Sequence, residues 1–313
     1  MRLAAAVAPG RSIARAVDRA RLAEKNGYDS VWMSQLPNER DTSLVLAAYA
    51  AGTERVGLGS FVFPIYTRHP TAMVQMAATL DELCGGRFRL GIGVSHRVTV
   101  EGLWGLRLDH PADAMREYLT IVRDSLTQGS ASLQGAHFTA RWAYSPPRRA
   151  DLPILIAALM PRMLELAGEL ADGVALWMCS PGYIEREVLP RVQAGRERAG
   201  KTMDGFEIVA ALDVSLTTNL EGACEVFRGR FERYASLPYY RSMLNASGFG
   251  DRLDRGEISD AMLHELAGLG DERAVREAVR RYRDAGCTLP LVGPFAEHDG
   301  AAGFEASLEA AIA

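Results

Sequence analysis

The feature that most constrains the fold is a regular alternation of short apolar runs and longer amphipathic stretches along the chain of 313 residues. Short apolar runs are typical of buried strands, and apolar residues spaced three and four apart are typical of helices. The strand candidates are residues 3–8, 30–34, 55–63, 87–94, 152–159, 173–178, 206–216 and 289–295. Helical patterns lie at about 11–26, 42–51, 71–83, 111–126, 161–170, 182–199, 220–235 and 301–313.

The composition of these runs predicts how the strands are arranged. Uniformly apolar runs fit strands that are covered on both faces, as parallel sheets require. Eight units of strand followed by helix are typical of a (β/α)8 barrel, an α/β fold that routinely occupies about 250 residues. Because no linker or repeat divides the chain, we predict a single (β/α)8 TIM barrel domain over residues 1–313.

A doubly wound open sheet is the alternative arrangement. Such a sheet normally carries the glycine fingerprint G-x-G-x-x-G of a dinucleotide site after a strand. The segment GIGVSH has only the first two glycines, Gly91 and Gly93, and it places His96 at the last position. The barrel is therefore the favoured prediction.

Three irregular segments interrupt the alternation: residues 96–110, 128–150 and 237–266. Barrel enzymes carry such insertions over the mouth, at the C-terminal ends of the strands, where loops shape a pocket without disturbing the core. We expect the insertions to cover this mouth. Their aromatic side chains either line the site or pack the loops onto the barrel. These side chains are Trp104, Phe138, Trp142, Tyr144, Tyr239 and Tyr240.

Charge and composition exclude several functional classes. The formal net charge is -4 and the arginines alternate with acidic residues, so we expect no surface for nucleic acid or anionic membrane. No run approaches the ~18 apolar residues of a membrane helix, and the apolar start is too short for a secretory signal. Cys84, Cys179, Cys224 and Cys287 are far apart with no C-x-x-C pair, which predicts reduced cysteines and a cytoplasmic location.

The histidines do not predict a metal centre. His110, His137, His264 and His298 lack the spacing of metal ligands, and the sequence contains no H-E-x-x-H motif. His69 precedes a helical pattern and fits packing at a helix start. We therefore expect no metal in the site.

Several long segments resemble a known family, the luciferase-like flavin and deazaflavin oxidoreductases. They are NGYDSVWMSQ, the stretch from TERVGLGS to RFRLGIG, and ILIAALMPRMLELAGELADGVALWM, with a weaker likeness in residues 271–295. Members of this family are (β/α)8 barrels that use either FMN or coenzyme F420. The segments SQLPNERDTS, FPIYTRHP and GIGVSHRVTVEGLWG are most similar to the deazaflavin branch, which includes methylenetetrahydromethanopterin reductase.

The resemblance implies an F420-dependent oxidoreductase that moves a hydride between the deazaflavin C5 and a small organic substrate. Hydride transfer needs no protein nucleophile, because the protein must only hold the ring against the substrate, exclude water and supply a proton. The resemblance also implies a homodimer. An FMN-dependent monooxygenase on the same fold is the first alternative, and a flavin- or metabolite-binding barrel without catalysis is the second.

The family likeness also assigns cofactor contacts to particular positions. A non-prolyl cis peptide at the end of the third strand supports the ring, and the matching residues are Ser60, Phe61 and Val62. Backbone after the fifth strand meets the ribityl and phosphate part, with Arg162 as a partner for an anionic tail. The matching residues there are Ala157, Ala158, Leu159 and Met160, and Trp177, Met178 and Cys179 line the same wall.

The loop after the fourth strand carries the candidate proton donor. Gly91 and Gly93 would let the ring edge approach, and Ser95 and His96 follow with groups that bond or protonate. His96 falls where a related sugar-phosphate dehydrogenase has a glutamate acid; a histidine that bonds loop backbone or faces solvent is the alternative. After the second strand, members of the family often have an Asp-His pair, whereas this chain has Ser34, Gln35 and Leu36 there. The Gln35 amide can bind a substrate but cannot exchange protons.

Overall fold

The computed structural model describes residues 2–295 and 301–312. His298 therefore lies outside the described residues. The strands are β1 (Ala4–Ala6), β2 (Ser30–Met33), β3 (Gly57–Ser60), β4 (Phe63–Pro64), β5 (Phe88–Gly93), β6 (Ser130–Gln134), β7 (Thr139–Ala143), β8 (Ile154–Ala157), β9 (Gly173–Leu176), β10 (Glu207–Leu216), β11 (Ala267–Gly270) and β12 (Leu289–Pro294).

Eight parallel strands close into a barrel in the order β1-β2-β3-β5-β8-β9-β10-β12. Glu207 of β10 pairs with Gly173 of β9, and Ala4 of β1 pairs with both Ser30 of β2 and Leu291 of β12. No break therefore remains in the ring of these eight strands. All eight strand candidates of the sequence are barrel strands, and the closed ring confirms the (β/α)8 prediction over the open sheet.

Helices follow the barrel strands, as the amphipathic stretches predict. Several begin where the sequence carries a helix-start signal: Ser12 and Asp41 cap the first two, and Pro70 and Pro111 open the next two. The helices are α1 (Ile13–Lys25), α2 (Thr42–Gly52), α3 (Pro70–Leu83), α4 (Pro111–Gln128), α5 (Pro161–Leu170), α6 (Pro181–Tyr183), α7 (Leu189–Arg198), α8 (Leu220–Ala235), α9 (Pro238–Leu244), α10 (Gly250–Asp254), α11 (Asp260–Leu266), α12 (Glu272–Asp284) and α13 (Ala301–Ile312).

The barrel interior is filled by side chains, of which Trp32 is the largest. Trp32 is fully buried and packs edge-on against Phe61, with ring centroids 6.3 Å apart. Gly59 on the neighbouring strand makes room for it, because a Cβ added there would lie 2.3 Å from the indole ring. Only glycine fits beside a buried tryptophan at such a short distance.

A network of four charged side chains closes the N-terminal end of the barrel. Arg2 contacts Asp29 at 2.8 Å and Glu207 at 2.5 Å, and Arg89 contacts the same two carboxylates at 3.2 and 3.1 Å. Burial raises the pKa of Asp29, but the hydrogen bond from Arg2 and the charge of Arg89 outweigh it and hold that pKa below its usual value. The network joins segments at four positions around the ring, so this end is structural.

The insertions divide between the mouth and the side of the barrel. Residues 128–150 form an antiparallel hairpin of β6 and β7 that packs on α4 through Ala131, Ala140 and Ile121. None of the hairpin residues lines the mouth cavity described below, so the expectation that this insertion covers the mouth is wrong. Its alternating pattern of buried and exposed residues reflects one face against α4 and one face in water.

The insertion after the seventh strand is larger than predicted. The stretch 220–235 was expected to be an outer barrel helix, but the end of α8 reaches the mouth, where Tyr234 lines the cavity. The chain continues through α9 to α11 and adds β11 beside the upper end of β10 before α12 leads to the last barrel strand. No helix among the described residues is long and apolar enough to cross a membrane.

Candidate functional site

A cavity of about 500 Å³ opens at the C-terminal ends of the barrel strands. This volume lies within the ~300 to 1,000 Å³ of small-molecule sites, and the position is where barrel enzymes place their chemistry. The walls come from the segments after β2, β3, β5, β8 and β9, together with the α8–α9 segment. A side cavity of about 240 Å³ shares Gln35, Pro37, Pro64 and Trp104 with it and contains the Arg68–Asp41 ion pair.

The Phe61–Val62 peptide bond is cis. It lies at the end of β3, where the family resemblance places a non-prolyl cis bond, and both of its side chains line the cavity. Phe61 packs edge-on between Trp32 and Trp177, with ring centroids 6.3 and 6.5 Å away. These aromatic contacts fix the position of Phe61 against the barrel interior.

Small residues face Val62 across the cavity floor. A Cβ added to Gly93 would lie 2.7 Å from a methyl of Val62 and 3.1 Å from the Ala157 side chain. A Cβ on Gly91 would lie 1.9 Å from the Ser60 carbonyl oxygen. The close approach of these strands leaves no room for side chains, so the floor is narrow and smooth.

Three residues predicted to contact the cofactor or to line its wall, Ser60, Met178 and Cys179, do not line the cavity, and Cys179 is fully buried. Ser60 is fully buried, where its hydroxyl accepts the Gly91 N–H at 2.8 Å and donates to the Gly91 carbonyl at 2.9 Å. It therefore ties β3 to β5 beneath the floor. Met178 is also buried and adopts a positive φ of 50°, and its neighbour Trp177 provides the wall instead.

The loop between β8 and α5 forms another wall, lined by Ala157, Ala158, Leu159, Met160 and Arg162. Their contact with a cofactor stays a prediction. Met160 caps α5 without a side-chain hydrogen bond, and Pro161 at the first helical position has no N–H. The Met163 and Leu164 N–H groups both donate to the Met160 carbonyl at 3.0 Å, so it is the Arg162 N–H that keeps its capacity to bind an anion at the start of this ten-residue helix. Arg162 lies at the rim, largely exposed, and forms an ion pair with Asp113.

His96 lies in the cavity wall after β5, together with Ser95, which has a φ of 60°. The ring of His96 lies 5.7 Å from Tyr240 and 6.4 Å from Tyr234, centroid to centroid. Its Nδ1 is buried and has no hydrogen-bond partner among the residues that the structure describes. Burial lowers the pKa of His96 below the usual 6.5, so the imidazole is neutral at pH 7.

Gln35 lines the cavity but its amide is engaged in the local backbone. The amide oxygen accepts the Thr42 N–H at 2.9 Å at the start of α2, and the amide nitrogen donates to the Leu36 carbonyl at 3.2 Å. These two bonds hold the loop after β2 in place. Gln35 therefore shapes the wall of the cavity, and its contact with a substrate stays a prediction.

Aromatic side chains complete the mouth. Of the predicted set, Trp104, Tyr239 and Tyr240 line the cavity, whereas Phe138, Trp142 and Tyr144 belong to the hairpin or the segment after it and do not. Tyr234 was missed, because its amphipathic segment reads as an outer helix. The four cysteines are all free and buried, and the described residues hold no cluster of metal ligands.

Sequence comparison matches the chain to a family model and to individual proteins. A family model described as luciferase-like monooxygenase matches residues 1–289. A Mycobacterium tuberculosis protein named as a candidate coenzyme F420-dependent oxidoreductase is 34% identical over 307 residues, covering 86% of this chain and 88% of that protein. The 5,10-methylenetetrahydromethanopterin reductase of Methanolobus tindarius is 29% identical over 300 residues, covering 91% of both chains.

The fold is similar to that of solved structures. The coenzyme F420-dependent tetrahydromethanopterin reductase of Methanopyrus kandleri superposes with a TM-score of 0.78 over 99% of this chain and 96% of that chain. Its sequence is 23% identical, so this likeness concerns the arrangement of strands and helices.

Proposed function

The chain belongs to the luciferase-like monooxygenase family, and from that premise we propose that it is an oxidoreductase dependent on coenzyme F420. The observation that carries the proposal is the narrow floor between Val62, Gly93 and Ala157 at the barrel mouth. When bound, F420 supplies a two-electron carrier whose C5 gives or accepts a hydride. The substrate is a small organic molecule held in the same cavity.

The floor fits a planar ring for a steric reason. Gly93 presents no side chain, and the Val62 and Ala157 side chains would lie only 2.7 and 3.1 Å from a Cβ placed there, so the surface between them is apolar and free of a projecting side chain. Phe61 and Trp177 stand beside this surface and exclude water from one side. A flat ring system would bury its face there without displacing any hydrogen-bonded protein group, which favours tight and oriented binding.

The anionic tail of the cofactor has a site at the start of α5. The backbone N–H of Arg162 lies in the first turn of α5, at the positive end of the helix dipole. Arg162 adds a guanidinium at the rim, at present paired with Asp113. Ala157 and Ala158 are small enough to let the chain between ring and phosphate pass along the wall.

His96 is the residue we assign to proton exchange. It lines the cavity, and the neutral imidazole can take a proton from a substrate hydroxyl or return one to a substrate oxygen. Because burial lowers the pKa of His96, the ring is mostly neutral at pH 7 and starts the reaction in the form that accepts a proton. A His96→Ala variant should bind the cofactor normally and turn over slowly; unchanged turnover would remove this assignment.

The experiment that tests the proposal is a titration of the purified protein with F420 and, separately, with FMN, in which fluorescence reports binding. We expect F420 to bind and FMN to bind at least tenfold more weakly. Each reduced cofactor is then mixed with protein in aerated buffer, and oxygen consumption is recorded. Preferential FMN binding with oxygen uptake would replace the proposal by a monooxygenase, and binding with no turnover of any acceptor would favour a non-catalytic barrel.

We also propose that the protein works as a cytoplasmic homodimer. The free, buried thiols of all four cysteines are consistent with a reducing compartment. Light scattering of the purified protein gives the oligomeric state directly, and a mass of one chain would refute the dimer.

A further inference from the structure

The cavity occupies only one half of the barrel mouth. Among the described residues, none from β10, β12 or β1, and none from the segments directly after these strands, lines it. Helix α8 packs over this other half, where it contacts Asp213 of β10 and Phe295 after β12. The position of α8 on these strands therefore determines where one wall of the cavity stands.

A buried carboxylate lies in the uppermost layer of the barrel interior on this side. Val209 and Ala211 of β10 belong to the interior cluster, and alternate residues of a strand share a face, so Asp213 points the same way. A Cβ added to Gly293 on the paired strand β12 would lie 3.2 Å from the Asp213 Oδ1. The Asp213 carboxylate is thus enclosed by the ring of strands, and 7% of its side chain is exposed.

Arg230 of α8 is the partner of this carboxylate. Its Nη1 donates to the Asp213 Oδ1 at 3.0 Å, and its guanidinium carbon lies 4.8 Å from the centroid of the Phe295 ring. Within residues 2–295 and 301–312, no other group donates a hydrogen bond to the Asp213 carboxylate. Because a buried charge without a partner is strongly unfavourable, Asp213 holds Arg230 down against the end of the barrel.

Tyr234 connects this ion pair to the cavity. It follows Arg230 by one turn of α8, and side chains four residues apart lie on the same face of a helix. Tyr234 lines the cavity, where its ring centroid lies 5.8 Å from that of Trp177 and 5.1 Å from that of Tyr240. A shift of α8 along or away from the barrel would therefore move Tyr234 against Trp177.

We propose that Asp213 and Arg230 are positioning residues, whose ion pair holds α8 at the depth where Tyr234 packs on Trp177 and thereby sets the width of the ligand cavity. Neither Asp213 nor Arg230 lines the cavity, so the pair acts through Tyr234. The cavity has this wall whichever ligand it holds. Only the consequence for cofactor binding rests on the proposed function.

Apolar packing is the competing explanation for the position of α8. Phe227 and Phe231 of the same helix are buried, and Phe227 stacks on Phe295 with centroids 6.2 Å apart. Such contacts hold the helix on the barrel, but the hydrophobic effect is non-directional and does not select one depth. A charge-assisted hydrogen bond to a carboxylate on a strand has a defined length and direction, so it does select one.

The test observes the wall directly. The four tryptophans are replaced by 5-fluorotryptophan, and 19F NMR spectra are recorded on the purified protein. Trp177→Phe and Trp142→Phe variants assign two signals: Trp177 reports on the wall, and Trp142 on the β6–β7 hairpin is the internal reference. Arg230→Met removes the charge and keeps an apolar side chain of similar length. We expect its Trp177 signal to shift while the Trp142 signal stays in place.

Cofactor binding gives a second readout on the same samples. Trp177 stands beside the floor, so its displacement should weaken the binding of F420. We expect a Kd roughly threefold to tenfold higher in Arg230→Met, on the scale of one lost contact of ~1 kcal/mol. Arg230→Lys keeps a positive charge within reach of Asp213 and should restore most of the Trp177 signal and of the affinity.

Arg228→Met is the matched control. Arg228 lies on the same helix, donates to Asp260 at 2.7 Å and is 32% exposed, compared with 37% for Arg230. Its partner Asp260 is largely exposed and lies on α11, away from the barrel interior. We expect neither the Trp177 signal nor the F420 Kd to change in this control.

A double variant separates displacement from unfolding. Because Arg230→Met leaves the Asp213 charge buried and unpaired, it can lower stability by itself. Asp213→Val combined with Arg230→Met removes both charges, and such replacements by apolar residues are often neutral for stability. The double variant should therefore fold, and its Trp177 signal should still be shifted.

Each result bears on a different statement. An unchanged Trp177 signal in the double variant would show that apolar packing alone positions α8, and an equal shift in Arg228→Met or no recovery in Arg230→Lys would show that the Asp213 charge is not responsible. A shifted Trp177 signal with an unchanged F420 Kd would overturn the link to the cavity. If Trp177 shifts as expected and F420 binds to none of the proteins, the proposed function fails and the positioning role stands.

Discussion

Replacing Gly93 by alanine is the sharpest single test of the cavity floor. The added Cβ would lie 2.7 Å from the Val62 methyl, roughly 0.8 Å inside the ~3.5 Å lower end of ordinary carbon contacts. It would also approach the Ala157 Cβ to 3.1 Å, so two neighbours must move. Val62 is β-branched and has few rotamers to escape into, so the floor itself must shift.

This displacement has two measurable consequences. Insertion of a methyl group into a close-packed contact costs about 1 to 3 kcal/mol of unfolding free energy. The methyl and the displaced Val62 side chain also occupy space that the ring would use. We expect the Kd for F420 to rise at least tenfold, which corresponds to ~1.4 kcal/mol.

The assay is a fluorescence titration with F420 at fixed salt and pH, together with urea unfolding of the same samples. Gly102→Ala is the matched control, because Gly102 is exposed and a Cβ there would meet nothing within 4 Å. The control should bind F420 like the original protein and be equally or slightly more stable. A folded Gly93→Ala protein with an unchanged Kd would refute the assignment of the floor to the cofactor.

Three further substitutions test other parts of the structure. Arg149→Ala removes the two hydrogen bonds of 2.8 and 2.9 Å that Arg149 donates to the buried Asp81 carboxylate and leaves it with the Phe88 N–H at 3.2 Å. The unfolding free energy in urea should fall by ~3 to 5 kcal/mol, because the carboxylate loses its counter-ion. Ser60→Ala removes both side-chain bonds to Gly91 and should cost about 1 to 3 kcal/mol by the same measurement, whereas a loss below ~0.5 kcal/mol would show that the bonds are dispensable. Burial raises the pKa of Asp213 to about 6, above its usual 3.8, so the folded state binds this proton more tightly than the unfolded state. Compared with Asp213→Asn, the stability of the original protein should therefore fall as the pH rises from about 4 to 6 and level off above pH 6. Parallel pH profiles of stability for the two proteins would contradict this.

The sequence predicted the barrel because burial patterns are local. All eight strands have both faces covered, so apolar residues run along each strand without polar alternation, and every run is visible in the sequence. The start of α5 at Pro161 is visible for the same reason, since a proline at a helix start acts on its own neighbours. For two segments the sequence pattern did not predict the position relative to the mouth. The β6–β7 hairpin has one wet face and a mixed pattern, and α8 has the amphipathic period of an outer helix although its end reaches the mouth.

The candidate site shows the same division. The sequence by itself determined the order of strands and helices, the positions of the loops that meet at the mouth, and, through family likeness, the cis bond near Val62. Only the tertiary structure decided which side chains face the cavity: it turned Ser60 beneath the floor, tied Gln35 to the backbone and brought Tyr234 and Tyr240 beside His96. The reason is physical. Hydrophobic periodicity records whether a residue is buried, but the partner that buries it comes from a distant segment, and that pairing exists only once the ring of strands has closed.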